Sequence, residues 1–132
     1  MSVVLDASAA VDYLLALGAF ERIAERISAR SETLHAPHVL DLEVAQALRR
    51  LASRTTITAS RAQDALEDYA GLRIRRYPHG WMLPRIWQLR ENLTVFDAAY
   101  IALSEALDAP LLTSDGALAR SSGHAAAIEL YR

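Results

Sequence analysis

Short apolar segments alternate with longer segments of helical periodicity along this 132-residue chain, and this alternation most constrains its fold. Val3-Val4-Leu5 is too short for a helix and predicts a buried strand that ends at the carboxylate of Asp6. Further short strands are predicted at Thr33–Pro37, Leu72–Arg75, Pro110–Thr113 and Ile128–Leu130.

Helices are predicted between the strands because apolar residues recur there every three or four positions. Ser8 is predicted to cap the first helix and Gly18 to end it after Leu17. The other predicted helices are Ala19–Arg30, Leu40–Leu51, Ala59–Gly71, Trp81–Glu91 and Thr94–Leu107, with turns at Thr55–Ser60 and Ser114–Gly116. Strands joined through helices favour right-handed crossovers, and so an α/β fold whose small parallel sheet carries helices on both faces. Since no linker or repeat divides the sequence, residues 1–132 are predicted to form a single domain.

All 14 basic residues are arginine, and the chain contains neither lysine nor cysteine. The lack of lysine excludes P-loop NTPases, protein kinases and Schiff-base enzymes, because each needs a lysine amine. The lack of cysteine excludes thiol nucleophiles, disulfides, iron–sulfur clusters and cysteine-ligated zinc. The net charge of −2 argues against a protein that coats DNA, which needs a strongly basic surface.

No segment has the character of a membrane span or of a signal peptide. The best apolar stretch, Val11–Phe20, is interrupted by Asp12 and Gly18, and no positively charged segment opens the chain. We therefore predict a cytoplasmic protein that does not enter a membrane.

Four carboxylates stand out by their positions. Asp6 and Asp115 follow predicted strands, Glu43 lies within or beside the apolar stripe of a helix, and Asp97 lies in the first turn of another. Each also has an ordinary structural interpretation. Asp6 and Asp115 suit turns, Asp97 suits a capping box with Thr94, and Glu43 suits a buried ion pair.

Taken together, the four carboxylates predict a cation site. A parallel sheet brings Asp6 and Asp115 to one edge, and two helices could direct Glu43 and Asp97 towards it. Clustered carboxylates repel one another, and a hard divalent cation with oxygen ligands relieves that repulsion. Mg²⁺ or Mn²⁺ is favoured over zinc because the chain has no cysteine and no histidine pair with zinc-ligand spacing. Such ions activate water and stabilise the attacking and leaving oxygens of a phosphodiester.

Four sequence segments point to a known family. They are Val4-Leu5-Asp6-Ala7-Ser8, Pro37 to Leu48 with Glu43, the segment LTVFDAAYIAL from Leu93 to Leu103, and Leu111-Leu112-Thr113-Ser114-Asp115. In this order they resemble the PIN-domain family and, within it, the VapC toxins of bacterial toxin–antitoxin pairs. The resemblance covers nearly the whole chain, and its most specific part is DAAYIAL followed by LTSD.

The resemblance implies a three-layer PIN sandwich and a Mg²⁺- or Mn²⁺-dependent endoribonuclease that hydrolyses RNA. It also implies inhibition by a VapB-like antitoxin and, in many relatives, a homodimer. The implied metal-binding and catalytic residues are Asp6, Glu43, Asp97 and Asp115. Ser8 and Thr113 match hydroxyl positions that could bond a carboxylate or a metal-bound water. Many relatives carry a further acid where this chain has Gly116-Ala117-Leu118, so the number of metals, one or two, stays open.

The densest basic stretch, from Arg73 to Arg90, also contains Tyr77, Trp81 and Trp87. Arginine can hold phosphate and aromatic side chains can stack on RNA bases. We favour the structural interpretation, in which the arginines are solvated and the tryptophans lie in the core. The histidines are isolated and are predicted to be neither ligands nor bases. The alanine-rich helices of the N-terminal half could form the groove for an antitoxin helix.

Other acid-dependent enzymes fit less well. A phosphoacceptor receiver domain needs a lysine, and a haloacid-dehalogenase-type phosphatase needs Asp-X-Asp where this chain has Asp6-Ala7-Ser8. The alternative from another class is a non-catalytic PIN domain that binds RNA or a protein partner. Such domains have usually lost an acid, whereas all four are present here, which favours an enzyme.

Overall fold

The computed structural model describes residues 1–29 and 31–132, and at its centre lies a five-stranded parallel sheet in the order β3-β2-β1-β4-β5. The strands are β1 (Ser2–Leu5), β2 (Thr33–Pro37), β3 (Ile74–Tyr77), β4 (Leu111–Thr113) and β5 (Ile128–Leu130). The helices are α1 (Ala7–Leu15), α2 (Phe20–Ile27), α3 (Val39–Ser53), α4 (Ala59–Ala70), α5 (Leu83–Gln88), α6 (Val95–Leu107) and α7 (Gly116–Ala119), with a 3₁₀ turn at Gly80–Met82. The predicted α/β class is confirmed.

Strand β1 lies in the middle of the sheet, with Val4 in register with His35 of β2 and with Leu111 of β4. Val3, Val4 and Leu5 are fully buried, because a central parallel strand is covered on both faces. The strand order reverses between β1 and β4, and open α/β sheets bind ligands at the carboxyl ends of the strands beside such a reversal. The residues that follow β1 and β4 therefore share this edge.

Helices cover the two faces of the sheet. Helix α1 contacts α2, α3 and α4 in one layer, while α6 packs on α5 and contacts β1, β2 and β4. Right-handed crossovers place the helices between β1 and β3 on one face and those that lead back to β4 on the other. Every residue of α6 from Ala98 to Ser104 is buried, so α6 is the central helix of its layer. No helix among the described residues combines the length and apolar character that a membrane crossing requires.

The first helix differs from its prediction at both ends. Its N-cap is Asp6, whose side chain accepts a hydrogen bond from the Ala9 backbone N–H, so the prediction of Ser8 as the cap is wrong. The helix ends at Leu15 because Ala16 takes the left-handed conformation, with φ of 55°. The first helix is therefore capped by a carboxylate and not by the expected hydroxyl.

Some strand and helix boundaries differ from the predicted ones, because strand pairing or local backbone geometry sets them. Strand β3 begins two residues later than predicted, because its register against β2 starts with Ile74 opposite Leu34. The predicted helix Trp81–Glu91 divides into the 3₁₀ turn and the short α5. A short helix follows Asp115 where a turn was predicted.

Helix α2 occupies only the central part of the predicted segment Ala19–Arg30, and Arg30 lies outside the described residues. Strands β2 and β5 have the predicted bounds, and α6 follows its predicted cap Thr94 directly.

Candidate active site

Asp6 lies directly after β1 at the reversal of strand order and is only 5% exposed. Its Oδ1 accepts hydrogen bonds from the Ser8 hydroxyl at 2.8 Å and the Ala9 N–H at 2.9 Å, and its Oδ2 accepts one from the Thr113 hydroxyl at 2.5 Å. Burial raises the pKa of Asp6 from 3.8 to about 6 although these bonds oppose the change, and the charge of Asp97 raises it further. The carboxylate is thus held firmly in an environment that disfavours its charge.

The hydroxyls of Ser8 and Thr113 connect Asp6 to the loop after β4. Ser8 Oγ accepts a hydrogen bond from the Ser114 N–H at 2.9 Å, and Thr113 Oγ1 accepts one from the Asp115 N–H at 3.0 Å. Both predicted hydroxyl residues therefore contact Asp6. Because Thr113 also bonds the backbone of Asp115, one side chain links the two acids that follow β1 and β4.

Glu43 reaches the same region from α3. Its Oε1 accepts a hydrogen bond from the Tyr100 hydroxyl at 2.5 Å, and within the described residues it has no arginine within 4.0 Å. In the part of the chain that the structure describes, Glu43 is therefore not half of an ion pair. Tyr100 was not singled out from the sequence, although its position one helical turn after Asp97 places the two on the same side of α6.

Asp97 lies in the first turn of α6, where its backbone N–H donates to Thr94 Oγ1 at 3.2 Å. This bond is one half of the predicted capping box. Burial raises the pKa of the Asp97 carboxyl, and the charges of Asp115 and Glu43 raise it further. The structure therefore brings Asp97 into the electrostatic field of the other predicted acids.

Asp115 is exposed and caps α7, with its Oδ1 accepting from the Ala117 N–H at 2.8 Å. Gly116 follows, and a Cβ at this position would lie 2.7 Å from Arg132 Nη1 and 3.0 Å from Arg120 Nη1. A residue with a side chain at this position would displace these guanidinium groups. The glycine thus lets two cations approach the backbone beside the last acid.

Ser8, Glu43 and Asp115 line one cavity of about 820 Å³, which we call the acidic cleft. Asp97 interacts electrostatically with Asp115 and Glu43, and Asp6 interacts with Asp97. Across residues 1–29 and 31–132, no three aspartate, glutamate or histidine side chains converge closely enough to enclose an ion. The donor set still fits Mg²⁺ or Mn²⁺, because in the described part of the chain its carboxylates form no ion pair with an arginine and such ions commonly complete their coordination with water. The assignment of all four acids as metal ligands stays a prediction.

The stretch from Arg73 to Arg90 does not gather at the acidic cleft. Arg76 bonds Asp41 and Arg85 bonds Glu105, while Arg73 and Arg75 line a cavity at the opposite, amino-terminal end of the strands. Arg76 and Arg85 remain partly exposed, as predicted, but each is also paired with an acid.

The prediction of core tryptophans is wrong, because Trp81 and Trp87 are 50% and 64% exposed. Arg90 lies over the Trp87 ring, with 4.7 Å between the guanidinium carbon and the ring centroid. His35, His79 and His124 form hydrogen bonds with the Tyr77 hydroxyl, the Val39 N–H and the Ser121 hydroxyl, and the prediction that no histidine is a ligand or base stays a prediction.

Comparison with known proteins relates the whole chain to one family. A sequence model of the PIN domain matches residues 3–123. The chain is 44% identical over 128 residues to Ribonuclease VapC12 of Mycobacterium tuberculosis, which covers 97% of this chain and 98% of that protein.

Solved structures show the same fold at lower identity. The structure of VapBC2 from Rickettsia felis, bound to a DNA fragment from its promoter, matches with a TM-score of 0.72 and 13% identity over 100% of both chains. The M. tuberculosis toxin VapC20, described as cleaving the sarcin-ricin loop, matches with a TM-score of 0.66 and 14% identity over 89% of this chain and 92% of that one. The chain therefore belongs to the PIN-domain family, among its VapC-type members.

Proposed function

We propose that this chain is a Mg²⁺- or Mn²⁺-dependent endoribonuclease and the toxin of a VapBC-type toxin–antitoxin pair. The observation that carries this proposal is the acidic cleft at the reversal of strand order, where the charges of Asp97, Glu43 and Asp115 act on one another and, among the described residues, none of these acids pairs with an arginine. The names of its relatives, which are ribonucleases, support the same activity.

The proposed metal ligands are Asp6, Glu43, Asp97 and Asp115. The cation, when bound, supplies an activated water and stabilises the charge on the phosphodiester oxygens. Asp6 contributes a carboxylate whose orientation is set by two hydroxyls and one backbone N–H. Asp115 keeps Oδ2 available, because its helix-capping bonds use Oδ1.

Arginines at the rim of the acidic cleft are the proposed contacts for the RNA backbone. Arg50 of α3 lines the cleft, and Arg120 lies with Arg132 beside Asp115 at Gly116. One guanidinium group can donate two parallel hydrogen bonds to a phosphate group. This placement of the arginines therefore suits phosphates on either side of the hydrolysed bond. It moves the proposed RNA contact away from the stretch between Arg73 and Arg90.

We also propose a cognate VapB-like antitoxin as the partner that covers the acidic cleft. One wall of the cleft is apolar and includes the exposed Leu17 and Leu42, the second of which is 73% exposed. Carboxylates beside exposed leucines suit an amphipathic helix that carries both basic and apolar side chains. The similar structure of VapBC2 from Rickettsia felis bears the name of such a toxin–antitoxin pair, which supports an antitoxin partner.

A second copy of the chain is the proposed occupant of another surface, the apolar face formed by Leu83, Trp87, Val95 and Phe96. These exposed side chains border a cavity of about 540 Å³ with almost no polar lining. An aromatic side chain can bury about 150–250 Å². On that scale, these half-exposed residues offer on the order of 400 Å² of apolar surface. A standard interface buries ~800 Å² per partner, and this surface is a large share of its apolar part.

Light scattering tests the homodimer without RNA or metal. The wild type is expected at twice 14.5 kDa, and Trp87→Glu at 14.5 kDa. Leu66→Glu, which changes an exposed leucine of α4 outside the apolar face, is the matched control and should remain dimeric. A monomeric wild type at high protein concentration would refute the dimer.

The central experiment uses protein freed of any partner and a structured RNA. Cleavage should require Mg²⁺ or Mn²⁺ and should stop in excess EDTA, and full cleavage in EDTA would refute the metal dependence. Isolation together with a small protein encoded by the neighbouring upstream gene would support the antitoxin. The alternative, a non-catalytic PIN domain, predicts RNA or protein binding without cleavage. The cytoplasmic location stays a prediction.

A further inference from the structure

Tyr100 connects the two helices that carry Glu43 and Asp97. Its side chain is 1% exposed within α6, and its hydroxyl donates to Glu43 Oε1 of α3 at 2.5 Å. The two residues are 57 positions apart in the sequence. The bond therefore depends on the packing of the helix layers across the sheet rather than on any local motif.

The same helix α3 offers a direct comparison two residues earlier. Asp41 accepts a hydrogen bond from the Tyr69 hydroxyl at 2.5 Å and also one from Arg76 at 2.8 Å. Glu43 has the tyrosine but, within the described residues, no arginine within 4.0 Å. A phenol restricts the orientation of a carboxylate without adding positive charge, whereas an arginine compensates its charge. Glu43 is thus held in a fixed orientation without an arginine partner among the described residues.

We propose that Tyr100 is a positioning residue, whose hydroxyl orients the Glu43 carboxylate for a divalent cation in the acidic cleft. This inference rests on the proposed metal-dependent function. The bond uses Oε1, so Oε2 of Glu43 is available to the cation. Hydrogen bonds to metal-binding carboxylates fix ligand geometry, and their loss typically lowers metal affinity or activity by about 10- to 100-fold.

A purely structural role would have a different signature. A buried tyrosine hydroxyl needs an acceptor, and Glu43 could serve only that need. In that case, Tyr100→Phe would change the stability of the fold but not its affinity for a cation. Phenylalanine keeps the ring and its packing, so the variant isolates the hydroxyl.

Direct titration of free Mn²⁺ by electron paramagnetic resonance, without RNA, distinguishes these roles. Tyr100→Phe is expected to weaken Mn²⁺ binding by about 10- to 100-fold. Its cleavage of RNA should recover as Mn²⁺ is raised. The matched control is Tyr69→Phe, which removes the hydroxyl of another buried tyrosine bonded to an acid of α3, and should leave Mn²⁺ affinity unchanged.

A double-mutant cycle with Glu43→Gln completes the test. Once the charge of Glu43 is removed, adding Tyr100→Phe should cause no further loss of Mn²⁺ affinity. Equal Mn²⁺ affinity in Tyr100→Phe and wild type, with Glu43→Gln weakened, would overturn the positioning role alone. Unchanged affinity in Glu43→Gln would instead overturn the proposed metal site, so the two failures can be distinguished.

Discussion

The carboxylates of this chain occupy two contrasting environments. At the periphery, Arg85 donates to both oxygens of Glu105, at 2.8 and 2.9 Å. Beside the acidic cleft, Asp6 accepts, among the described residues, only from hydroxyls and a backbone N–H. The bonds from Arg85 lower the pKa of Glu105, whereas burial raises those of Asp6 and Asp97.

This difference separates two uses of the same chemical group. A carboxylate paired with an arginine stabilises the fold, but its charge is already compensated and attracts a cationic ligand only weakly. A buried carboxylate without a cation destabilises the metal-free fold and gains most from binding one. Functional sites are often places where stability is given up in this way. The four predictions below test the contrast, beginning with the largest expected effect.

Removal of one cleft charge should abolish activity while the fold remains. We expect Asp6→Asn and Asp97→Asn each to lower RNA cleavage by more than about 100-fold, beyond the usual effect of a supporting residue. Circular dichroism should show a folded protein. The matched control Glu105→Gln, at the periphery, should cleave RNA at the wild-type rate. A folded Asp97→Asn variant with full activity would contradict the assignment of the site.

The stability of the metal-free protein should depend on pH through Asp6. Its folded pKa is raised from 3.8 to about 6, so its contribution to stability is fully present below pH 3.8 and is lost as pH rises through about 6. The loss amounts to at most about 3 kcal/mol.

Urea unfolding in EDTA at pH 5 and pH 8 measures this effect. Asn cannot ionise, so Asp6→Asn should show less loss of stability than the wild type between these two values. If the two proteins lose stability equally, burial does not disfavour the charge of Asp6.

The peripheral pair should show the opposite dependence on pH. The pKa of Glu105 is lowered, so its contribution to stability is present above the unfolded value of 4.5 and is lost as pH falls below it. Near neutral pH, Glu105→Gln should reduce the free energy of unfolding by about 1–2 kcal/mol, because the charged bonds to Arg85 and the bond from the Ala125 N–H are weakened. The difference should shrink towards pH 4, and an increase there would contradict the assigned sign.

The smallest expected effect is on RNA binding, and it concerns the arginines at the rim of the acidic cleft. Arg120→Gln should weaken RNA binding only a few-fold and reduce its salt dependence by about one phosphate contact. The cleavage rate at saturating RNA should not change. Arg73→Gln, at the opposite edge of the sheet, is the control. Equal weakening by both variants would indicate a diffuse charge effect rather than a contact beside the cleft.

Local patterns predicted the fold closely. The bounds of β2 and β5 follow from apolar runs bordered by turn residues or proline, and Thr94 caps α6 as expected. The predictions that fail concern features that depend on residues distant in the sequence. The start of β3 depends on its pairing with β2, and the exposure of Trp87 depends on what packs against α5. Apolar character indicates burial on average and cannot identify a face that another molecule could cover.

The sequence by itself determined the order of the strands and helices along the chain and the placement of the four acids after strands or on helices, because period and capping are properties of neighbouring residues. Only the tertiary structure decided which partner each acid received. Thr113 reaches Asp6 across 107 positions and Tyr100 reaches Glu43 across 57, while arginines pair with peripheral acids instead. Such contacts depend on strand register and on helix packing across the sheet, and no local pattern contains them.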